Sequence, residues 1–289
     1  MKIYDMHVHV NGGEPEPAGL LSKMEDAGVY GGAVFSAEPE PSSAPLQKLP
    51  YRERLKNVLD WCRGVDGRLF PILWVHPFEA DVGDQIKDAA LSGIRGFKVI
   101  CDTFSVGCPE SMRMLETIEE TKLPVIFHSG ILWSGTDTSR FNRPAEWEAL
   151  LRLSRGVKFS MGHCSWPWHD ECIAVYGKFL NSYLERQSSE MFFDVTPGTP
   201  VIYRRDLLTK LFTVGYDVEN NIMFGTDSMA NDYDRDWVAG WIARDNAIYD
   251  ELGVPAATRE KIYKDNFFRF LSGEDVSHVL PEVNKNSQG

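Results

Sequence analysis

The sequence has few basic residues for its length. Its 289 residues include 30 Lys and Arg against 42 Asp and Glu, which gives a formal net charge of -12. Proteins that bind nucleic acid usually carry a basic surface, so the charge argues against that class of function. Long apolar runs are also missing, because stretches such as LFPILWV are far too short to span a bilayer. We therefore expect neither a nucleic-acid partner nor a membrane partner.

Cysteine is scarce, and no two cysteines have the CxxC spacing. The chain contains an odd number of scattered cysteines: Cys62, Cys101, Cys108, Cys164 and Cys172. This pattern argues against a disulfide framework and favours a reducing compartment. The first residues, MKIYDMHVHV, contain neither the long apolar region nor the small-residue cleavage site of a secretory signal. We expect a cytoplasmic protein.

Nucleotide-binding glycine motifs and internal repeats are absent as well. Neither GxGxxG nor a P-loop follows an early apolar run, so no motif for binding a nucleotide occurs there. The composition is that of an ordinary globular protein, with 43% hydrophobic and 25% charged residues. Because no linker-like segment divides the chain, we expect a single domain over residues 1–289.

Eight short apolar runs alternate with longer amphipathic runs. The predicted strands cover 3–10, 31–37, 69–77, 95–101, 124–130, 157–164, 191–198 and 221–229. Alternation of this kind predicts a parallel sheet, and eight such units in about 270 residues match a (β/α)8 TIM barrel in the α/β class. A doubly wound open sheet is the alternative. The segment ATREKIYKDNFFRFLSGE predicts an extra C-terminal helix, and the last residues, NKNSQG, predict a frayed tail.

Ionisable side chains lie in or at the ends of five of the predicted strands. His7 and His9 are two residues apart, so a strand directs both imidazoles to the same face. In a barrel the C-terminal ends of the strands meet at one mouth, where active sites lie. The members of this group are His7, His9, Lys98, His128, His163 and Asp227.

Each member of this group has a structural explanation when it is taken alone. A histidine at a strand end is often hydrogen-bonded within the fold, a lysine can extend to the surface, and an aspartate can cap the next helix. Together, however, they would bury charge without compensation at one rim, which is unfavourable. A divalent cation bound by imidazole and carboxylate supplies that compensation. The pattern therefore predicts a metal site.

The same residues, in this order, resemble the amidohydrolase superfamily and, within it, the amidohydrolase-2 or amidohydrolase-related family. The resemblance extends over about residues 1–272 and indicates little about the substrate. It rests on DMHVH in strand 1, GFKVI in strand 4, FHSG in strand 5, GHCSWPWHDE in strand 6, NIMFGTDS in strand 8 and the late helix KIYKDNFFRFL.

This resemblance implies a role for each matching residue. His7, His9, His128 and Asp227 are the expected ligands of a mononuclear metal site, and Asp227 is also the expected base for the metal-bound water. His163 is expected to polarise the substrate carbonyl or to shuttle a proton. The expected cofactor is a divalent metal, with zinc first and manganese, iron or nickel as alternatives.

Lys98 leaves the number of metal ions open. In members of the superfamily with two metals, a carboxylated lysine at strand 4 bridges the ions, and the equivalents of His128 and His163 hold the second ion. In amidohydrolase-2 relatives this lysine need not be a ligand, and we expect one ion rather than two. The lysine also argues against the related TatD-like nucleases, which carry a glutamate at this strand.

The loops after strands 5 and 6 are expected to set the specificity for a small substrate that is cyclic and carboxylated. Tryptophans in these loops suit stacking walls, arginines suit a carboxylate clamp, and one histidine ends strand 3 at the same mouth. Equally, tryptophans often wedge loops against a barrel, and surface arginines are common. The candidates are His76, Trp133, Arg140, Trp166 and Trp168, with Arg143, Arg204 and Arg205 as further arginines.

The remaining histidines and two strand-end cysteines are expected to have structural roles. His169 stands at a helix start and is expected to cap it or to lie on the surface, and His278 is expected to have no role. Cys101 and Cys164 suit buried small hydrophobic positions, since no activating partner for a nucleophile is evident. A homodimer is the assembly to test.

Three functions remain open. The first is a metal-dependent hydrolase in which metal-activated water attacks an amide, lactone or related C–N or C–O bond. The alternative is a non-oxidative decarboxylase on the same scaffold, in which Asp227 or His163 delivers a proton to carbon. Many decarboxylases of the family resemble ExH at strand 1, so His7 favours hydrolysis. A barrel that binds metal without catalysis is less favoured, because Asp227 and His163 accompany the full ligand set.

Overall fold

A computed structural model describes residues 1–11, 13–65, 67–186, 188–198 and 200–272. Within these residues nine strands form one sheet in which every pair of neighbours is parallel, in the order β8-β7-β6-β5-β4-β3-β2-β1-β9. The strands are β1 (Tyr4–His9), β2 (Gly31–Phe35), β3 (Leu69–Trp74), β4 (Gly96–Val99), β5 (Val125–Phe127), β6 (Lys158–Met161), β7 (Glu190–Asp194), β8 (Ile222–Met223) and β9 (Ser228–Met229).

Helices alternate with the strands along the chain. They are α1 (Pro17–Asp26), α2 (Tyr51–Trp61), α3 (Val82–Leu91), α4 (Pro109–Thr121), α5 (His169–Arg186), α6 (Arg204–Thr213), α7 (Arg235–Glu251), α8 (Ala256–Glu260) and α9 (Asn266–Leu271). The large apolar cluster of the protein packs between the strands and these helices, with Val8, Leu73 and Phe159 on the strand side. Strand–helix alternation with a parallel sheet confirms the predicted α/β TIM-barrel class.

The ring of strands closes through the segment 222–229. Its first piece, β8, pairs with β7, and its second piece, β9, pairs with β1. Between the two pieces, the Met6 amide donates to the Phe224 carbonyl at 2.9 Å. The sequence predicts one continuous strand here, but Asp227 has a left-handed backbone with φ of 60°, which ends the regular pairing.

A bulge in β1 directs both of its histidines into the barrel. The pairing with β2 advances from Asp5–Gly32 to Val8–Val34, so β1 carries one residue more than β2 over this step. Strict alternation would place Met6 and His7 on opposite faces of the sheet. Here Met6 belongs to the apolar interior of the barrel, and the His7 ring contacts Phe35 of the same interior cluster at 4.7 Å between centroids. A bulge of this kind re-aims a side chain, and it commonly lies next to an active site.

The interior of the barrel is a separate apolar cluster that forms the floor of the mouth. It gathers side chains from β1, β2, β3, β5, β7 and β8, including Phe35, Ile72 and Phe192. Phe267, Phe270 and Leu271 of α9 pack against the same cluster. The predicted C-terminal helix is therefore present as α8, a π-helical turn at Lys261–Asp265 and α9, and it closes the interior.

One of the amphipathic runs between the strands, the one after β5, forms a 3-10 helix, Pro144–Arg152, rather than an α-helix. Its buried residues, Pro144, Trp147 and Leu150, are spaced by three, which matches the three residues per turn of a 3-10 helix. No helix in the described ranges is both long and apolar enough to cross a membrane. His278 and the predicted tail lie outside the described residues.

Candidate metal centre

His7 directs one ring nitrogen, Nε2, toward Lys98 and Asp227 in the barrel mouth. Its ring is buried, and its Nδ1 lies 2.6 Å from Oδ2 of Asp194. Burial, reinforced by the positive charge of Lys98, lowers the pKa of His7 to about 3, so the ring is neutral. The single ring hydrogen therefore lies on Nδ1, where it is donated to the carboxylate. The lone pair of Nε2 is left facing inward, as in histidines that ligate metals.

Asp227 and His9 join His7 at this point. Asp227 Oδ1 lies 3.3 Å from Nε2 of His9 and 3.5 Å from Nε2 of His7. Burial acts to raise the pKa of Asp227, but the hydrogen bond from His9 and the electrostatic interaction with the nearby rings of His163 and His7 hold it well below its usual value. The carboxylate is therefore ionised at neutral pH. Its side chain is 36% exposed, so it remains accessible from the mouth.

His163 projects from a strained turn after β6. His163, Cys164 and Ser165 follow one another with φ of 59°, 42° and 58°, a left-handed conformation that is rare for residues with a side chain. The turn brings the His163 ring to 5.2 Å from His7 and 5.0 Å from His128, between ring centroids. Nδ1 of His163 is buried without a hydrogen-bond partner among the described residues. Gly198 packs closely on this side of the ring, since a Cβ at position 198 would collide with Nδ1 of His163.

Lys98 and His128 flank this group. Lys98 is fully buried in β4, and its Nζ donates to Nε2 of His7 at 3.3 Å. Burial lowers the pKa of Lys98 to about 8, although Asp194 and Asp227 act in the opposite direction. His128 differs from the others, because its Nε2 lies 3.2 Å from the carbonyl oxygen of Ile131. Burial, reinforced by electrostatic repulsion from the neighbouring His163 ring, lowers the pKa of His128 well below its usual value.

The donor atoms at the mouth lie close enough to share one cation. One ligand atom from each of His7, His163 and Asp227 lies within 4.8 Å of the other two, and Nε2 of His9 adjoins the Asp227 carboxylate. Two neutral imidazoles and an ionised carboxylate are a donor set that suits zinc and related divalent ions. The structure therefore contains a possible metal site, and its tightest group includes His163 rather than His128.

Two buried aspartates that sequence reasoning missed support the site. Asp194 ends β7 and contacts His7. Asp5 of β1 accepts hydrogen bonds from the His7 amide, the Thr226 amide and hydroxyl, and the Tyr233 hydroxyl. Burial raises the pKa of Asp5 to about 7, although these hydrogen bonds oppose the shift. Each of these aspartates is an acidic residue in an otherwise apolar predicted strand, and this pattern could have identified them. Asp194, in MFFDV, stands at a strand end as Asp227 does.

A sequence model of the amidohydrolase family matches residues 4–271. The chain belongs to the amidohydrolase family. The predicted membership is thus confirmed, and this superfamily consists of metal-dependent enzymes. Among curated proteins, none matches the sequence at a significant level.

Solved structures share the barrel at low sequence identity. An uncharacterised TIM-barrel protein of Bordetella bronchiseptica superposes with a TM-score of 0.68 at 15% identity, covering 94% of this chain and 99% of that one. A 2,6-dihydroxybenzoate decarboxylase from Rhizobium gives 0.63 at 11% identity, covering 94% and 98%. A probable 2-pyrone-4,6-dicarboxylic acid hydrolase of Acinetobacter baumannii gives 0.59 at 12% identity, covering 94% and 99%. These similarities establish the fold.

His76 has protein partners on both ring nitrogens in this amidohydrolase-family chain. Its Nδ1 accepts from the Phe78 amide at 3.2 Å, so its Nε2 carries the hydrogen and donates to Asp102 at 3.2 Å. Asp102 also accepts from the Ser43 amide, which ties the loop after β2 to the loop after β4. The structure therefore gives His76 a structural role and leaves no ring nitrogen of it for a substrate.

The loop tryptophans lie along one side of the rim. Trp133 is 72% exposed and stacks on Trp166, with ring centroids 6.3 Å apart and planes inclined by 10°. Trp168 is covered by the guanidinium of Arg143, at 4.8 Å from the ring centroid. Arg140 is exposed and lies over Phe141. Trp133 and Trp166 are thus the candidates that form an apolar face open to solvent.

The other arginines are engaged elsewhere. Arg204 is buried and bonds both oxygens of Asp245, at 2.7 and 2.6 Å, so the suggestion that it clamps a substrate carboxylate does not hold. Arg143 pairs with Glu171, and Arg205 pairs with Glu251 on α7.

His169 and the cysteines Cys101 and Cys164 are all buried. His169 begins α5 and is buried, with Nδ1 at 2.9 Å from the carbonyl oxygen of Cys164, rather than lying on the surface. Burial raises the thiol pKa of Cys101 and Cys164 well above the usual value. Both cysteines therefore remain protonated, which argues against a nucleophilic role.

Proposed function

We propose that the protein is a metal-dependent hydrolase that opens a C–N or C–O bond, such as an amide or a lactone, in a small cyclic and carboxylated substrate. The observation that carries this proposal is the convergence of His7, His9, His163 and Asp227 within one barrel mouth. Membership of the amidohydrolase family supports it. A divalent cation, when bound, supplies positive charge that lowers the pKa of a coordinated water and polarises a substrate oxygen.

His7, His9 and Asp227 are the proposed protein ligands of that cation, with zinc as the expected ion and manganese, iron or nickel as alternatives. For a fourth ligand the family pattern favours His128, whereas the distances favour His163. The lone pair of His7 Nε2 and the ionised carboxylate of Asp227 both face the same point. We propose one ion rather than two, as the resemblance to the amidohydrolase-2 relatives implies.

Asp227 and His163 are the proposed catalytic pair. The Asp227 carboxylate is ionised and accessible, so it can accept the proton of an attacking water. His163 presents a ring nitrogen to the same donor group, and from there it can donate a hydrogen bond to the substrate oxygen on which negative charge develops. The buried amine of Lys98, when protonated, adds positive charge on the same side.

The Trp133–Trp166 stack supports the substrate class. The two rings lie on the loops after β5 and β6, at the rim of the mouth, and they present an apolar face open to solvent. A flat ring placed against this face would be stabilised by burial of apolar surface and by aromatic contact. Hydrolysis of such a ring is the reaction that the name of the pyrone hydrolase relative describes.

A non-oxidative decarboxylase is the second candidate function. The Rhizobium relative is a 2,6-dihydroxybenzoate decarboxylase with the same fold. The same two groups would serve, because Asp227 or His163 can deliver a proton to carbon after carboxylate loss. His7 at the first ligand position favours hydrolysis over this alternative.

The two functions are separated by the products. In a panel of candidate substrates, we expect lactones and cyclic amides to give ring-opened acids and 2-hydroxybenzoates to release no CO2. Liquid chromatography would detect the acids, and a CO2 assay would detect decarboxylation. The His163→Gln variant, which retains a side chain of similar size, should lose turnover of the same compounds. Release of CO2 from a 2-hydroxybenzoate by the wild type, abolished in this variant, would replace the hydrolase by the decarboxylase.

The metal content is a direct test of the site. Protein purified from metal-replete medium should contain about one equivalent of divalent metal, as expected for a mononuclear site. His9→Gln should lose it, and His169→Gln, at a histidine bonded to a backbone carbonyl, should retain it, as measured by elemental analysis. Wild-type protein with less than about a tenth of an equivalent would contradict the proposal. About two equivalents would instead make Lys98 a ligand.

A further inference from the structure

We infer that Asp194 is a positioning residue that fixes the tautomer and the ring orientation of His7, and so sets the affinity of the site for its metal ion. This inference rests on the proposed function, because it assigns His7 as a ligand. No motif in the sequence drew attention to Asp194. The end of β7 holds this carboxylate against His7 of β1.

Both oxygens of Asp194 are occupied by partners of different kinds. Oδ2 lies 2.6 Å from Nδ1 of His7. Oδ1 accepts from the Thr196 amide at 3.0 Å and from the Thr196 hydroxyl. Because the side chain is fully buried and its second oxygen is held by Thr196, the carboxylate has one orientation, and that orientation faces His7.

The backbone immediately after Asp194 is anchored by hydrogen bonds to β8 and to α6. The Val195 amide donates to the Met223 carbonyl of β8 at 3.0 Å, and the Val195 carbonyl accepts from the guanidinium of Arg204. Arg204 is itself held by Asp245, at 2.7 and 2.6 Å. A buried ion pair between α6 and α7 thus fixes the end of β7 immediately after Asp194.

Gly225 lies in close contact with His7, Asp194 and Thr196. A Cβ at position 225 would collide with the Thr196 hydroxyl and would lie 3.0 Å from Cβ of His7 and 3.1 Å from Oδ1 of Asp194. Only glycine leaves room for this contact. The segment that precedes Asp227 therefore packs directly on the pair formed by His7 and Asp194.

The chemical consequence concerns which nitrogen of His7 carries the hydrogen. Oδ1 of Asp194 already accepts two hydrogen bonds from Thr196, and Oδ2 faces Nδ1 of His7, so the carboxylate is arranged as an acceptor toward the ring. An ionised carboxylate can only accept, so it keeps the hydrogen on Nδ1 and leaves Nε2 as the donor of a lone pair. A carboxylate behind a ligating histidine also makes the ring a stronger ligand. An amide at this position could donate to Nδ1 and move the hydrogen to Nε2.

The test compares Asp194→Asn with a matched control elsewhere in the barrel. Asp102→Asn alters the other buried pair of histidine and aspartate, His76 with Asp102, which lies outside the donor group. We expect Asp194→Asn to weaken zinc binding by about 10- to 100-fold in competition with a chelator, and Asp102→Asn to leave it unchanged. Equal zinc affinity of wild type and Asp194→Asn would overturn the inference.

A second readout does not depend on the metal. In metal-free wild-type protein, the ring nitrogen-15 shifts of His7 should identify the tautomer with hydrogen on Nδ1, and this signature should be lost in Asp194→Asn. If Asp194→Asn does not fold, Thr196→Val, which removes one hydrogen bond to Oδ1, should weaken zinc binding in the same direction. Wild-type protein with its hydrogen on Nε2 would refute the inference. Wild-type protein that has the expected tautomer but binds no zinc would refute the proposed function instead.

Discussion

Asp227→Asn is expected to lower kcat/KM by about 10³-fold or more, because the variant loses an ionised base and a metal ligand together. Asparagine has the same shape as aspartate and is one of the few residues that accept the left-handed backbone observed at this position. The barrel should therefore fold normally. Steady-state kinetics on a substrate from the product screen, with circular dichroism on the same samples, would measure both properties.

Asp232→Asn is the control for this substitution. Asp232 is an exposed acid a few residues further along the chain, outside the donor group, and its amide bonds the Met229 carbonyl. We expect Asp232→Asn to retain wild-type kinetics. If Asp227→Asn remained fully active, Asp227 would have no part in the reaction, and the proposed mechanism would be wrong.

Arg204→Ala is expected to destabilise the fold by about 3–5 kcal/mol, because the change leaves the carboxylate of Asp245 buried without its partner. The Val195 carbonyl would lose a donor as well. In a chain of this size the melting temperature should fall by on the order of 10 °C. Thermal and urea unfolding of the purified variant would measure the loss.

Arg205→Ala is the matched control, since it removes the next residue of α6. Arg205 pairs with Glu251 at the surface, where both side chains are more than half exposed. Exposed pairs contribute little, so this variant should unfold close to the wild type. The double variant Arg204→Met with Asp245→Leu should recover much of the stability lost in Arg204→Ala. Equal losses in Arg204→Ala and Arg205→Ala would contradict the assignment of a buried ion pair.

The order of strands and helices was predictable because each strand is a short apolar run bounded by glycine or proline. The division of the eighth strand was not. NIMFGTDSM is an apolar run with β-sheet character, and its interruption depends on the packing of Gly225 against His7 and on the backbone of Asp227. Both are tertiary effects. The 3-10 helix after β5 also follows from the spacing of side chains that the barrel buries.

The candidate site was predictable to the extent that its residues are polar and stand at strand ends. His7, His9, His163 and Asp227 meet that condition, and the structure brings them together. The supporting residues were harder to identify. Asp5 and Asp194 are single acids in apolar strands, and their roles depend on partners that lie far away in sequence. The bulge that turns His7 inward likewise arises from pairing with β2, which no local pattern reveals.

The way the barrel closes has a thermodynamic consequence. The segment 222–229 joins β7 to β1, and it also carries Asp227, whose nearest partners, His7 and His9, belong to β1. A ligand that binds Asp227 and these histidines at once connects the two strand segments at which the barrel closes. Since such a ligand binds only the closed form, it stabilises the fold by mass action. Separation of segment 222–229 from β1 and loss of the ligand are therefore one coupled equilibrium, and a bound ligand raises the free energy of unfolding of the whole barrel.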